Sequence, residues 1–272
     1  METSKTLDRT FLPTMKTKSY AEVMGTIKMG IKQKKLTAVF GTPGSGKSSL
    51  LDDIVQENPC AHRILCSPTM TMKNLLVQIG NCINTHVKGD TYMVQKQLTD
   101  ALLADSNHIL LFDECEYLHR GNVSKIDVLR QIYDESHVPM VLCGTYQLQA
   151  LLSGANDHNQ PQIFRRLFKA EFKPVTKDEF TTYINELEPL LLIKFTAEVK
   201  SELFALCTDI ENGGLGILIY LLENTLNVIR PEWPDICVAY KENLTPYDTS
   251  QLSTILIDKE LLKQCSRFQM KK

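Results

Sequence analysis

The chain has 272 residues, of which 43% are hydrophobic and 23% are charged, and its formal net charge at pH 7 is −2. These values are typical of a globular protein that has room for one large domain and a smaller one. They give no strong electrostatic argument for nucleic-acid binding, and no apolar run approaches the ~20 residues that cross a bilayer.

The N-terminal segment and the cysteines indicate the compartment. Residues 1–20 lack the apolar centre of a secretory signal. The eight cysteines form no CxxC pair and show no metal-like spacing. We therefore expect a reduced, cytoplasmic protein without structural zinc and without a membrane partner.

Short apolar runs alternate with helical patterns through most of the chain. Residues 1–35 are predicted to form a polar arm and a helix, for which Ser19 is the predicted N-cap and Glu22 completes a capping box. The predicted strands that follow are residues 37–40, 63–67, 108–113, 139–145 and 169–175. The first four are continuously apolar, which is typical of strands buried on both faces of a parallel sheet. Residues 36–175 are therefore predicted to be an α/β domain with a parallel five-stranded sheet.

The remainder of the chain, residues 176–272, shows helical patterns and no convincing strand. Segments such as "TKDEFTTYINEL" and "GILIYLLENTLNVI" have the spacing of apolar residues that favours helices. We therefore predict a small α-helical domain after the sheet, with a C-terminal tail.

A glycine-rich loop, "GTPGSGKS", lies between the first strand and the next helical pattern. In such a loop, backbone N–H groups surround a phosphate, a lysine reaches the β- and γ-phosphates, and a serine hydroxyl binds Mg²⁺. The alternative is a Gly/Ser-rich turn that only resembles this motif. The strand before and the helix after favour a nucleotide site, whose predicted residues are Gly41, Thr42, Pro43, Gly44, Ser45, Gly46, Lys47, Ser48 and Ser49.

Two adjacent carboxylates end the apolar run "HILLFDE", about 65 residues after the loop. Asp113 is predicted to bind Mg²⁺ through water, and Glu114 is predicted to polarise the attacking water. Another strand run lies between the loop and this pair, which is typical of ATPases with an additional strand. No guanine-reading motif is present, so ATP is favoured over GTP. Glu116 is interpreted as a solvent-facing acid.

Two further polar positions follow at the ends of later strands. Thr145, at the tip of the fourth strand, is interpreted either as a residue beside the γ-phosphate or as a helix-capping threonine. Arg165 and Arg166, before the fifth strand, are either surface charges or a source of an arginine finger for the γ-phosphate of a neighbouring subunit.

These motifs in this order resemble the AAA+ ATPases, and most closely the transposition regulators typified by the phage Mu B protein, TnsC and TniB. The resemblance covers roughly residues 20–230 and includes "AVFGTPGSGKS", "ILLFDECEYL", "VLRQIYDESHVPMVLCGTYQL" and "IFRRLFKAEF". It implies an AAA+ P-loop NTPase with a helical lid domain, and ATP and Mg²⁺ as cofactors. Lys47 and Ser48 would bind phosphate and Mg²⁺, Asp113 and Glu114 would be the metal and water carboxylates, Thr145 the sensor and Arg166 the finger.

The same resemblance implies an ATP-dependent homo-oligomer, a filament or ring, that binds double-stranded DNA and recruits or activates a transposase. The segment "THVKGDTYMVQKQL" resembles the DNA-contacting region. Its candidates for contacts with DNA phosphates are Lys88, Thr91 and Lys96, and Lys73 is a weaker one. The alternative is that these side chains are ordinary helix-surface groups.

One position departs from the family pattern. Gly216 lies where the lid helix usually carries an arginine that senses nucleotide, so hydrolysis or its coupling is expected to be weak. Two alternatives to a transposition regulator stay open, and the missing arginine favours the second of them. One is a helicase loader or replication initiator, and the other is an ATP-stabilised scaffold with little turnover.

Overall fold

The computed structural model of the chain describes residues 12, 13, 15, 17–119, 125–153, 167–209, 214–242, 247–250 and 252–267. They belong to two compact units: the first is Lys18–Lys173, and the second combines Met1–Thr17 with Pro174–Lys272. The domain boundaries after residues 35 and 175 stay predictions. Within the described part of the chain, every helix is too short or too polar to cross a membrane.

The first unit is built on a five-stranded parallel sheet in the order β2-β3-β4-β1-β5. Its strands are β1 (Leu36–Phe40), β2 (Ala61–Leu65), β3 (Ile109–Asp113), β4 (Met140–Gly144) and β5 (Phe168–Glu171). Its helices are α1 (Lys18–Lys32), α2 (Lys47–Glu57), α3 (Met72–Cys82), α4 (Thr91–Ala104), α5 (Lys125–Ser136) and α6 (Tyr146–Ser153), with a 3-10 helix at Cys115–His119. The predicted parallel α/β architecture is confirmed.

Alternation of side chains along a strand explains why the sequences of β1, β3 and β4 are apolar almost throughout. All five residues are buried in each of β1, β3 and β4. Leu110 and Phe112 belong to the core on one face of the sheet, whereas Ile109 and Leu111 belong to the core on the other. Burying one such side chain contributes roughly 1.5–3 kcal/mol, so both sheet faces have to be apolar.

The strand order sets the position of the polar residues. Because β4 lies between β1 and β3, the carboxyl ends of these three strands meet at one edge of the sheet. The loop after β1, Asp113 at the end of β3 and Thr145 after β4 are therefore brought to the same edge.

The predicted N-cap of the first helix is wrong. Ser19 lies inside α1, which begins at Lys18, and it is buried. Its Oγ accepts a hydrogen bond from the backbone N–H of Lys173 at 2.7 Å, and Glu22 pairs with the Lys173 side chain at 3.2 Å. The serine hydroxyl thus satisfies a backbone donor after β5 instead of one in its own helix.

In the second unit the predicted helices are present, but the expectation of no strand is wrong. Strands β6 (Ile193–Phe195) and β7 (Ile255–Ile257) pair in parallel. Each has only three residues, which is too short for an alternating pattern to be recognised. The helices are α7 (Lys177–Leu191), α8 (Ala197–Thr208), α9 (Gly214–Ile229), α10 (Trp233–Lys241) and α11 (Lys259–Arg267).

The core of the second unit joins distant parts of the chain. Leu12 and Met15 pack in the same cluster as apolar residues of the unit's helices, such as Leu187 and Leu222. The Arg230 guanidinium donates to the carbonyl oxygens of Leu192, at 3.0 Å, and Ser253, at 2.6 Å. These two acceptors precede β6 and β7, so Arg230 fastens the two strands where their pairing begins.

Candidate nucleotide site

The loop between β1 and α2 has a backbone that depends on glycine. Gly46, at the N-cap of α2, has a φ of 95°, which side chains with a Cβ rarely adopt. A Cβ on Gly41 would lie 2.7 Å from Ser45 Oγ and 2.9 Å from Phe172 Cβ. The loop therefore turns tightly and delivers the N-terminus of α2, with its free N–H groups, to the edge of the sheet where β1 ends.

The Lys47 ammonium lies within this loop. Its Nζ donates to the carbonyl oxygens of Gly41, at 2.9 Å, and Thr42, at 2.6 Å. Burial lowers the pKa of Lys47, although Cys143 and the carboxylates of Glu116, Asp113 and Glu114 oppose the shift. A cation whose partners are neutral carbonyls would form stronger hydrogen bonds with an anion such as phosphate.

Ser48 and Asp113 meet in space although they are 65 residues apart in sequence. Ser48 Oγ donates to Asp113 Oδ2 at 2.9 Å, and the Asp113 side chain is only 2% exposed. A hydroxyl and a carboxylate are oxygen ligands of the kind that Mg²⁺ requires. These two residues fit the metal role predicted for them.

Glu114 follows Asp113 in a strained backbone conformation. Its φ is 57°, a region that costs a non-glycine residue of order 1–3 kcal/mol. The Glu114 N–H donates to Asp113 Oδ1 at 3.0 Å, and the Glu114 side chain is exposed. The turn therefore fixes the Asp113 carboxylate and leaves the second acid free to face solvent or a ligand.

Glu116 is not the solvent-facing acid that we predicted. It is half-buried, and its Oε2 accepts from the backbone N–H of Thr145 at 3.3 Å. The 3-10 helix after β3 turns the chain so that this carboxylate lies over the end of β4. A Cβ on Gly144 would lie 2.5 Å from the same Oε2, so the carboxylate needs a glycine at this position.

Thr145 has the capping geometry that was one of its two interpretations. Its Oγ1 accepts from the backbone N–H of Gln147 at 3.4 Å, in the first turn of α6. The residue also lies at the tip of β4, on the sheet edge that carries Asp113. The sensor role stays a prediction.

Arg63 is a residue that the sequence reasoning missed. It lies on β2, where its guanidinium forms ion pairs with Asp52 of α2 and with Asp113 Oδ2, the latter at 2.5 Å. Burial lowers the pKa of Arg63, but its hydrogen bonds to the two carboxylates outweigh burial and the net shift is upward. The available signal was a charged residue at the start of the apolar run "RILCS".

The predicted DNA-contacting side chains are all exposed. Lys73 lies in the first turn of α3, and Thr91 and Lys96 lie on α4. The loop before α4 is fixed by Gln97, which exchanges hydrogen bonds of 2.9 Å with the backbone N–H and C=O of Lys88. Exposure alone does not distinguish DNA contacts from surface charges, so these assignments stay predictions.

The arginine-finger candidates and the position of the lid arginine remain to be placed. Arg165 and Arg166 lie outside the described residues. Gly216 is half-buried in the first turn of α9, so the residue at the expected position of the lid arginine has no side chain to offer.

Comparison with known proteins agrees with this geometry. Residues 29–152 match the sequence profile of a family described as AAA domain. The matched residues include the glycine-rich loop, Asp113 and Thr145. None of the curated proteins compared with the chain matches it.

Solved structures of other proteins resemble this chain over more of its length than residues 29–152. A Walker-type ATPase of Pyrococcus abyssi is 18% identical, with a TM-score of 0.58 over 91% of this chain and 76% of that one. The ORC1 protein of Aeropyrum pernix in complex with DNA is 12% identical, with a TM-score of 0.59 over 92% of this chain and 64% of that one. Domain III of the Thermotoga maritima replication initiation protein DnaA is 15% identical, with a TM-score of 0.54 over 97% of each chain. At these identities the likeness establishes the AAA+ P-loop NTPase fold, as predicted.

Proposed function

We propose that the protein is a Mg²⁺-dependent ATPase whose AAA domain binds ATP at the edge of the sheet. The observation that supports this most directly is the convergence of Lys47, Ser48 and Asp113 at the ends of β1 and β3. Lys47 would leave its carbonyl partners for the β- and γ-phosphates, and Ser48 and Asp113 would hold Mg²⁺. The ion, when bound, supplies positive charge that stabilises the phosphates during transfer.

The remaining polar groups have separate roles in this proposal. Glu114 accepts the proton of the attacking water, because it is the exposed acid next to the metal carboxylate. Thr145 is positioned by its backbone hydrogen bond to Glu116 and presents its hydroxyl to the γ-phosphate. Glu116 thus acts through Thr145.

We further propose that ATP holds protomers together on double-stranded DNA and that the assembly recruits or activates a transposase. Arg166 would reach the γ-phosphate of a neighbouring subunit, so assembly would require ATP. The exposed side chains of Lys73, Lys88, Thr91 and Lys96 would then repeat along the DNA backbone. Many weak phosphate contacts would add up to strongly salt-dependent binding with little sequence preference.

A second candidate function is that of a replication initiator or helicase loader. The similarity to ORC1, whose structure is a complex with DNA, and to the initiator DnaA supports it. Both candidates use the same ATP chemistry and differ in the partner. The initiator predicts association with a replicative helicase, and the transposition regulator predicts stimulation of strand transfer by an integrase-fold transposase. A protein that binds ATP with little turnover, as Gly216 suggests, would be a scaffold in either pathway.

Light scattering of the protein with duplex DNA and a non-hydrolysable ATP analogue tests the assembly. We expect large particles from the parent, few from Arg166→Ala, and normal assembly from Arg130→Ala. Arg130 is a suitable control because its ion-pair partner among the described residues is Asp134 of the same helix, at 3.6 Å. A parent that stays monomeric with ATP analogue and DNA both present would contradict the assembly proposal and leave an isolated nucleotide-binding protein.

A further inference from the structure

Arg63 is an unusual residue for its place in the fold. It sits on β2, in a segment whose neighbours Ile64 and Cys66 are buried in the core, and its own side chain is only 16% exposed. Its guanidinium contacts Asp52 through Nη1 and Asp113 through Nη2. An arginine fork can hold two carboxylates at once in a fixed geometry, which a lysine cannot do.

The Asp113 carboxylate is already well supplied with donors. Ser48 Oγ and Arg63 Nη2 donate to Oδ2, and the Glu114 N–H donates to Oδ1. A carboxylate offers about four acceptor positions, so these three donors occupy most of them. A metal ion that uses Asp113 must therefore share the carboxylate with Arg63 or displace it.

The charges at this position lead to the same conclusion. A carboxylate as buried as Asp113 requires a cation, because an isolated buried charge is strongly destabilising. Arg63 supplies that cation from within the protein. Because Arg63 already neutralises the Asp113 carboxylate, the electrostatic attraction between Asp113 and Mg²⁺ is weaker.

We propose that Arg63 is a built-in counter-ion that positions Asp113 and weakens its binding of a free divalent cation. This inference rests on the proposed function of the site. Its consequence is that the site binds Mg²⁺ tightly only together with the phosphates of a nucleotide, whose negative charge offsets the guanidinium. Arg63 acts through Asp113 and is a positioning residue.

The test measures Mn²⁺ binding to the nucleotide-free protein, with the free ion detected by electron paramagnetic resonance. We expect Arg63→Gln to bind Mn²⁺ about tenfold more tightly than the parent, the size of effect that follows from losing one charge-assisted hydrogen bond. Arg63→Lys loses the fork but keeps a positive charge beside Asp113, which is what the counter-ion role requires, so its Mn²⁺ affinity should stay within about threefold of the parent. Arg130→Gln, which removes an arginine charge on α5, serves as the matched control and should leave Mn²⁺ affinity unchanged. Asp113→Asn should abolish the gain in the Arg63→Gln background.

A second variant keeps the test decisive if Arg63→Gln does not fold. Asp52 lies on α2, and its side chain is 28% exposed. In Asp52→Asn, Arg63 loses one of the two carboxylates that it binds and keeps Asp113. Mn²⁺ should then bind more weakly than to the parent. Equal Mn²⁺ affinity for the parent and a folded Arg63→Gln variant would overturn the inference, as would an Arg63→Lys variant that behaves like Arg63→Gln.

The outcomes for this inference and for the proposed function are separable. A parent that fails to bind a fluorescent ATP analogue in the presence of Mg²⁺ contradicts the proposed function itself. A parent that binds the analogue, while its Arg63→Gln variant shows unchanged Mn²⁺ affinity, contradicts the counter-ion role alone.

Discussion

Replacing Gly144 by alanine should destabilise the protein by displacing a carboxylate from a backbone donor. The new Cβ would lie 2.5 Å from Glu116 Oε2 and 3.0 Å from both Cβ and Cδ2 of Leu148. Contacts this short require movement, and the end of a glutamate side chain moves most easily. Glu116 would therefore leave the N–H of Thr145, which it now accepts at 3.3 Å.

The expected magnitude follows from three contributions. A hydrogen bond to a charged acceptor contributes about 1.5–3 kcal/mol, and the length and partial exposure of this one reduce it to roughly 1 kcal/mol. Repacking of Leu148 adds about 0.5–1 kcal/mol. Alanine has less conformational entropy than glycine in the unfolded chain, which stabilises the folded state by roughly 0.4–1 kcal/mol. The net loss is therefore about 0.5–1.5 kcal/mol.

The assay is urea unfolding of Gly144→Ala, Glu116→Ala and the double variant. If the alanine acts through Glu116, it should cost about 1 kcal/mol less in the Glu116→Ala background, because the carboxylate is no longer there to be displaced. Costs that add to within about 0.3 kcal/mol would refute this mechanism and assign the loss to Leu148.

Three further predictions concern charged or titratable side chains, two at the nucleotide site and one, His62, on β2. Lys47→Ala should abolish binding of labelled ATP with the fold intact by circular dichroism, and unchanged affinity would contradict the nucleotide assignment. Glu114→Gln should retain ATP and lower turnover by about 10²-fold or more, and turnover at the parental rate would mean that another group positions the water. The pKa of His62 is lowered from 6.5 by burial and by His108, whose Nδ1 lies 3.0 Å from His62 Nε2. Because the pKa of His62 is lower in the folded state than in the unfolded state, its contribution to stability is fully present above pH 6.5. That contribution is lost as the pH falls from 6.5 through the folded-state pKa. Urea midpoints should therefore decline on acidification less steeply in His62→Gln than in the parent, and equal slopes would contradict this origin.

The parts of the site that could be predicted are those specified by neighbouring residues in the sequence. The loop "GTPGSGKS" between a strand and a helix, and the acids at the end of β3, are recognisable because each motif is contiguous. Parallel strands then bring Ser48 and Asp113 to one edge whatever the details of packing, and the structure places them 2.9 Å apart.

The parts that could not be predicted depend on contacts between distant residues or on local turns. Arg63 contacts carboxylates 11 and 50 residues away, and nothing in the run "HRILCS" identifies them. Glu116 reaches Thr145 because a 3-10 helix turns the chain back, a conformation with no sequence signal of its own here. Strands β6 and β7 are defined by their pairing with each other, since three residues carry no usable period.

The discontinuous core of the second unit has a consequence for how the chain folds during its synthesis. Residues 18–173 contain all the strands of the larger sheet, so that unit has been synthesised before residues 174–272 are made. Leu12 and Met15 belong to the same apolar cluster as Leu187 and Leu222, which are synthesised more than 150 residues after them. Strand β6 likewise cannot pair until β7 has been synthesised. Because domains generally fold as units as they emerge, Leu12 and Met15 are made before the first unit but form their native contacts only after it.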